Sequence, residues 1–158
     1  VVANMLGLKT GLVSVIGSDA EDYRKYMESH GVKFVLNAVF GDTTRSLFFK
    51  NNGDQFSFFY KGVTEQLDNI VPGKDFSKNL LRYAGCIYMS RTYLKLQKRV
   101  SRLSKQRFVV YNPGYGVFEF TELPRDFLAI LKNVNVLVLG SRLIDLYPVN
   151  VRWFRLRL

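Results

Sequence analysis

The stretch Gly11-Leu12-Val13-Ser14-Val15-Ile16-Gly17-Ser18-Asp19 decides the fold class. It is apolar nearly throughout and stops at a glycine, as a strand covered on both faces of a parallel sheet does. Asp19 follows as the expected cap of a helix running to Ser29. In that helix Tyr23, Tyr26, Met27 and His30 recur at i, i+3, i+4 and i+7, the spacing of a buried stripe. Upstream, residues 1–6 read as the last turns of a helix closed by Gly7. Downstream the alternation returns. A helix is expected over 76–83, a buried strand over 86–90, and a helix over 92–104 with Tyr93, Leu96, Val100 and Leu103 inward. A strand over 108–111, a helix over 126–133 and an apolar strand over 134–139 complete it. Repeated units of this kind imply the α/β class, as a three-layer, doubly wound, mostly parallel sheet. Ligands of such sheets bind at the carboxyl ends of the strands, here 17–19, 90–91, 112–115 and 140–142.

One segment interrupts the alternation. Residues 32–40, 44–50 and 55–60 are strand-like, and Asn51-Asn52-Gly53-Asp54 joins the last two. Asn-Gly between apolar runs is a strong hairpin signal, so about 32–62 reads as a β-excursion, a lid over a site. Phe58 and Tyr60 fall on one face of it and Phe59 on the other. They either pack against a substrate's carbon skeleton or form ordinary cross-strand pairs. Arg45 and Lys61 either bind a substrate carboxylate or phosphate or guard the strand edge as solvated charges. Asn112, ahead of Pro113-Gly114, either bonds a substrate hydroxyl or starts the turn.

Composition narrows the function classes. With 158 residues, 47% of them hydrophobic and 23% charged, the chain can bury an ordinary globular core. Its apolar runs are too short to span a bilayer and no signal-peptide pattern occurs, so no membrane partner is expected. The single cysteine, Cys86, cannot form an internal disulfide, which points to a reducing cytoplasm, and its apolar setting reads as buried core. One Cys and one His (His30) support neither a zinc site nor a Ser–His–Asp triad.

The formal charge of +10 attracts phosphates without choosing among their sources. Arg91, Lys95, Lys98, Arg99, Arg102, Lys105 and Arg107 carry no acidic residue among them. They form either the solvated face of an outer helix, the favoured reading, or a surface for a polyanion. No Gly-x-Gly-x-x-Gly or Gly-Lys-Ser loop occurs, and nucleic acid is not an expected partner. Beyond Tyr147 the residues 148–158 alternate basic and apolar, with Arg152, Arg155 and Arg157, and do not continue the helix that 141–147 begins. A truncated or frame-shifted end would account for such a tail.

Residues 6–147 resemble the PfkB/ribokinase-type carbohydrate kinases. Leu6-Gly7-Leu8-Lys9-Thr10-Gly11 through Val15-Ile16-Gly17-Ser18-Asp19 resembles the family's Leu-Gly, strand, Gly-x-Asp segment, and Glu28-Ser29-His30-Gly31-Val32 the element before its first lid segment. Thr44 and the hairpin through Tyr60-Lys61-Gly62-Val63 are similar to its lid strands and the turn after them. Val110-Tyr111-Asn112-Pro113-Gly114 is similar to its Val-x-Asp-Pro strand end, with Asn112 where Asp is usual. The resemblance implies a ribokinase-like sheet with a β-hairpin lid, covering only the family's amino-terminal and central regions. It implies ATP- and Mg2+-dependent phosphorylation of a sugar or sugar-acid hydroxyl. Arg45, Phe58, Tyr60, Lys61, Gly62 and Asn112 are then the substrate-side residues, and the lid strands offer a homodimer contact.

The family's Gly-Ala-Gly-Asp turn, which carries the catalytic base, occurs nowhere in the chain, nor does its Gly-Gly-x-Asn. Its Asn-x-x-Glu aligns on Gly140 and Leu143, and a glycine expected near Asp22 has no counterpart. No catalytic residue or nucleotide site is therefore assigned, and the chain alone is expected to be inactive. The alternative is a non-catalytic kinase relative or a basic polyanion-binding domain.

Overall fold

The structure, a computed structural model, describes residues 1–36, 39–52 and 54–140. The expected helix over 141–147, the tail 148–158 and the aligned position Leu143 lie outside the described residues. The chain divides into two compact units, Val1–Ile70 and a second from Val71 onward.

The first unit starts with a short helix α1 (Val2–Met5), then β1 (Thr10–Leu12), α2 (Glu21–Ser29) and β2 (Val32–Phe34). Gly7, at φ +85°, follows the turn that ends α1. β1 and β2 pair in parallel, with Thr10 opposite Val32 and Leu12 opposite Phe34. Parallel neighbours need a crossover, and α2 supplies it. The pairing direction persists beyond the short strands, because the Val35 amide donates to the Leu12 carbonyl and the Val39 amide to that of Ile16. Val15, Ile16, Val32, Phe34 and Leu36 form the core with Val63 and Leu67. Asn4 ties the ends of both helices together, its amide donating to the His30 carbonyl at 2.8 Å.

Two expectations fail here. The stripe on α2 is not buried: the helix contains no buried residue, and Tyr23 and Tyr26 stay exposed. Tyr23 meets the edge of Phe34 and Tyr26 lies against His30, contacts that use only ring edges and faces. Helical spacing marks a common face but does not supply something to cover it. The expected strand over 11–16 is also shorter, although Val15 and Ile16 are buried as that reading requires.

The hairpin is β3 (Arg45–Asn51) and β4 (Asp54–Tyr60), antiparallel from Arg45↔Tyr60 to Asn51↔Asp54. Asn52, between the strands, adopts φ +46°, the left-handed conformation that tight primed turns demand and asparagine tolerates. Directly opposed residues share a face. Leu47, Phe49, Phe56, Phe58 and Tyr60 therefore fall together, while Ser46, Phe48, Ser57 and Phe59 fall on the other side. A 3-10 helix, Gly62–Asn69, leads away from β4.

The second unit alternates helix and strand: α3 (Lys78–Tyr83), β5 (Cys86–Ser90), α4 (Leu94–Leu103), β6 (Phe108–Asn112), α5 (Arg125–Leu131) and β7 (Val136–Leu137). Ser77 caps α3, its hydroxyl accepting the Asn79 amide. The three strands are parallel in the order β5-β6-β7. Central β6 carries the core, with Val109 and Tyr111 fully buried beside Phe127 and Ile130 of α5. The helix α4 turns Leu96, Gln97, Val100 and Ser101 inward, and Lys98 pairs with Asp126 of α5. The α/β class and the parallel sheet stand as expected. β5, however, lies at the edge of its sheet, so Cys86 and Tyr88 are exposed rather than buried.

Candidate functional site

The carboxyl end of the first unit's parallel strands meets the base of the hairpin. Ser18 and Gly41 are joined backbone to backbone, and the Gly17 amide donates to the Thr43 hydroxyl at 2.8 Å. Asp19 does not cap α2. Ala20 occupies the cap position with no side-chain bond. A turn closed by the Ala20 amide on the Gly17 carbonyl swings the Asp19 carboxylate toward the hairpin instead.

There it accepts the Thr43 amide at 2.8 Å, the Thr43 hydroxyl at 2.7 Å and the Arg45 guanidinium at 2.6 Å. These donors hold Asp19 at a pKa of about 2, the Thr43 hydroxyl contributing most and Arg45 next. The carboxylate in turn raises the pKa of Arg45. Beside this cluster lies an open recess of about 500 Å³, lined among others by Ser14, Asp19, Tyr23, Thr43, Arg45 and Thr64.

The far side of the hairpin base is closed by threonines. Both the Thr44 and Thr64 hydroxyls donate to the Lys61 carbonyl at 2.5 Å. Gly62 adopts φ +51°, and a Cβ there would stand 2.3 Å from the Asp42 carbonyl oxygen. The close approach of two segments of the chain at this point requires glycine. Of the sequence-derived residues, Arg45 and Tyr60 are direct cross-strand partners, with Lys61 and Gly62 next in the chain. Phe58 stands opposite Leu47 and edge-on to Phe49, with ring centres 5.9 Å apart.

Asn112 belongs to the second unit. Its side-chain oxygen accepts the Gly114 amide at 3.1 Å, the local bond of a turn-forming asparagine. Its carbonyl accepts the Arg91 amide at 2.9 Å from the end of β5. Arg91 sits at φ +67°, a conformation that costs a non-glycine residue roughly 1–3 kcal/mol and persists only where its surroundings hold it.

The holder is Gln97, which the sequence reading passed over. It is buried on α4 and donates to the Ser90 and Arg91 carbonyls at 2.7 and 3.0 Å, while its own carbonyl accepts the Tyr111 hydroxyl at 3.0 Å. The available signal was a lone uncharged amide inside a run of Lys and Arg, adjacent to the apolar face of that helix.

No protein-family model matches the sequence, and no curated protein sequence is detectably similar to it. Solved structures do match. A nucleoside kinase from Burkholderia thailandensis, solved with inosine, superposes with a TM-score of 0.70 at 12% identity, over 96% of this chain and 50% of its own. An E. coli protein assigned as a ribokinase II, in complex with ATP and Mg2+, gives 0.71 at 15% identity over 89% and 49%. Ribokinase from Thermotoga maritima gives 0.66 at 12% over 91% and 45%. The fold is ribokinase-like. This ribokinase-like chain spans about half the length of the solved structures that it matches. Among its described residues no helix is long and apolar enough to cross a membrane, and no cluster of His, Cys, Asp and Glu could hold a metal ion.

Proposed function

We propose that the chain forms the substrate-side and lid portion of a kinase that phosphorylates a sugar or sugar-acid hydroxyl from ATP and Mg2+, and that it does not turn over alone. The observation that carries this reading is the pinned hairpin base. Asp19 and Thr43 hold the start of β3, so the apolar face of the lid and the Arg45 guanidinium stay together above a strand end. A lid that excludes water, and charge placed before the reaction, are what phosphoryl transfer asks of a protein.

In this reading Phe58 and Tyr60 cover the carbon skeleton of the substrate. Arg45 and Lys61 receive a carboxylate or other anionic group. Gly62 lets the two lid strands converge, and Asn112 bonds a hydroxyl. ATP and Mg2+ bind through groups other than these. The exposed apolar lid face also fits a homodimer contact, and the unpaired Cys86 fits a reducing cytoplasm.

Calorimetric titration of the chain with a neutral sugar, a nucleoside and a sugar acid, alongside an ATP-consumption assay, tests the reading. Expected is binding of one class without turnover, weakened by Arg45→Ala if that class is the sugar acid. Turnover by the chain alone, or no binding of any class by folded protein, overturns it.

A further inference from the structure

Between Asp75 and Glu119 the sequence holds no acidic residue and nine Lys or Arg. Four of these cations, Lys95, Lys98, Arg99 and Arg102, lie on α4, and Lys98 is matched by Asp126. Three others converge elsewhere. Arg82 at the end of α3, and Lys105 and Arg107 in the turn between α4 and β6, line a recess of about 410 Å³ with Tyr83 and Gln106. Among the described residues no carboxylate forms an ion pair with any of the three.

The recess is built on a pinned turn. Ser104 is fully buried, its hydroxyl donates to the Val100 carbonyl at 2.8 Å, and the Arg107 amide donates to the Ser104 carbonyl at 2.9 Å. The cations beside it therefore spring from a fixed backbone. An ordinary reason for cations here is the carboxyl ends of α3 and α4. Two helix ends present at most about one negative charge between them, and three cations exceed that. The surplus is positive, and two guanidinium forks match the oxygens of phosphate groups bidentately.

We propose that this recess binds a phosphate chain. It stands at the amino ends of β5 and β6, whereas Ser90, Arg91 and Asn112 stand at their carboxyl ends, about 15 Å away along five-residue strands. It is therefore distinct from the end of that sheet where Asn112 stands, and the proposal does not depend on the kinase reading. The phosphate chain could be free inorganic triphosphate or the tail of a nucleotide. The Tyr83 ring, 80% exposed at the rim, offers a stacking face that only the nucleotide would use.

The test is titration of the full chain with inorganic triphosphate at physiological salt, followed by calorimetry and by backbone amide shifts. Expected is saturable binding with shifts centred on Lys105, Gln106 and Arg107. The double variant Arg82→Gln/Arg107→Gln should weaken it roughly tenfold or more, as loss of charge-assisted bonds does. The control Lys25→Gln/Lys33→Gln removes the same charge elsewhere and should change affinity by about twofold or less, the share owed to net charge.

Equal weakening in both doubles, or no saturable binding, overturns the proposal. Should the recess double fail to fold, Lys105→Gln carries the test, and unchanged affinity there overturns it as well. ATP binding more tightly than triphosphate, with the difference abolished by Tyr83→Ala, assigns the site to a nucleotide. Equal affinities assign it to a free phosphate chain.

Discussion

The hydroxyl of Thr43 lies 2.7 Å from the carboxylate of Asp19, twenty-four residues earlier, and the Thr43 amide reaches the same oxygen at 2.8 Å. Two donors from one residue thus fix a carboxylate that would otherwise be free to cap a helix. The hairpin inherits its starting direction from that contact. Because Asp19 titrates at about 2 rather than 3.8, its folded pKa is depressed. Its contribution to stability is therefore present above the ordinary carboxylate range and is lost as pH falls toward 2. Thr43→Val should raise the Asp19 midpoint toward 3.8, read by the carboxyl carbon shift in an NMR titration. A midpoint that stays near 2 would show that Arg45 holds the charge by itself.

Gly62 permits the hairpin to close because its φ of +51° and its contact with Asp42 leave no room for a Cβ. Gly62→Ala should lower stability by about 1–3 kcal/mol, the range for a strained non-glycine backbone. Urea denaturation measures this. A variant as stable as the parent would mean that the hairpin base yields without loss.

Gln97 joins α4 to the ends of β5 and β6. Gln97→Leu removes the amide that the buried Tyr111 hydroxyl and the carbonyls of exposed Ser90 and Arg91 share, and should cost more than Tyr111→Phe, which removes one bond and should cost about 1 kcal/mol. Calorimetric unfolding of the two variants gives the ranking. Equal losses would place the value of the network in the Tyr111 bond alone.

The apolar face of the hairpin exposes Leu47, Phe49, Phe56 and Phe58, each more than half accessible. Self-association through this face should fall in Phe56→Ser/Phe58→Ser, while the fold survives because neither ring is in the core. Sedimentation velocity across a concentration series reads the change. A parent chain that stays a compact monomer at high concentration argues against this contact.

Cys86 sits on the edge strand β5 with its side chain exposed. A thiol reagent should modify it fully in native buffer without unfolding the chain. Protection until denaturant is added would return it to the core.

Much of the architecture was legible from local chemistry. Apolar runs ending at glycine or a turn marked the parallel strands, since both faces of such strands need cover. Asn52-Gly53 marked the hairpin, because few dipeptides tolerate the positive φ that a two-residue turn requires. The pairing of Phe58 and Tyr60 on one face followed from the two-residue period of a strand. These signals are local, carried by residues close together in the chain, and a sequence displays them directly.

Where the reading failed, the deciding partner was distant in sequence. Asp19 before Ala20-Glu21 is indistinguishable from a helix cap until Thr43 and Arg45 are brought beside it. Cys86 looks like core until β5 proves to be an edge strand, and Tyr26 looks buried until the ring is found with His30 against it and the rest of it exposed. Gln97 looks like one more polar residue of a basic helix until Tyr111 and the end of β5 close around it. The sequence by itself determined the order of strands and helices, the hairpin and the excess of positive charge, all properties of neighbouring residues. Only the tertiary structure decided which carboxylate anchors the lid, which strand lies at an edge and which cations share a recess. Those depend on contacts between segments far apart in the chain, and no local preference encodes them.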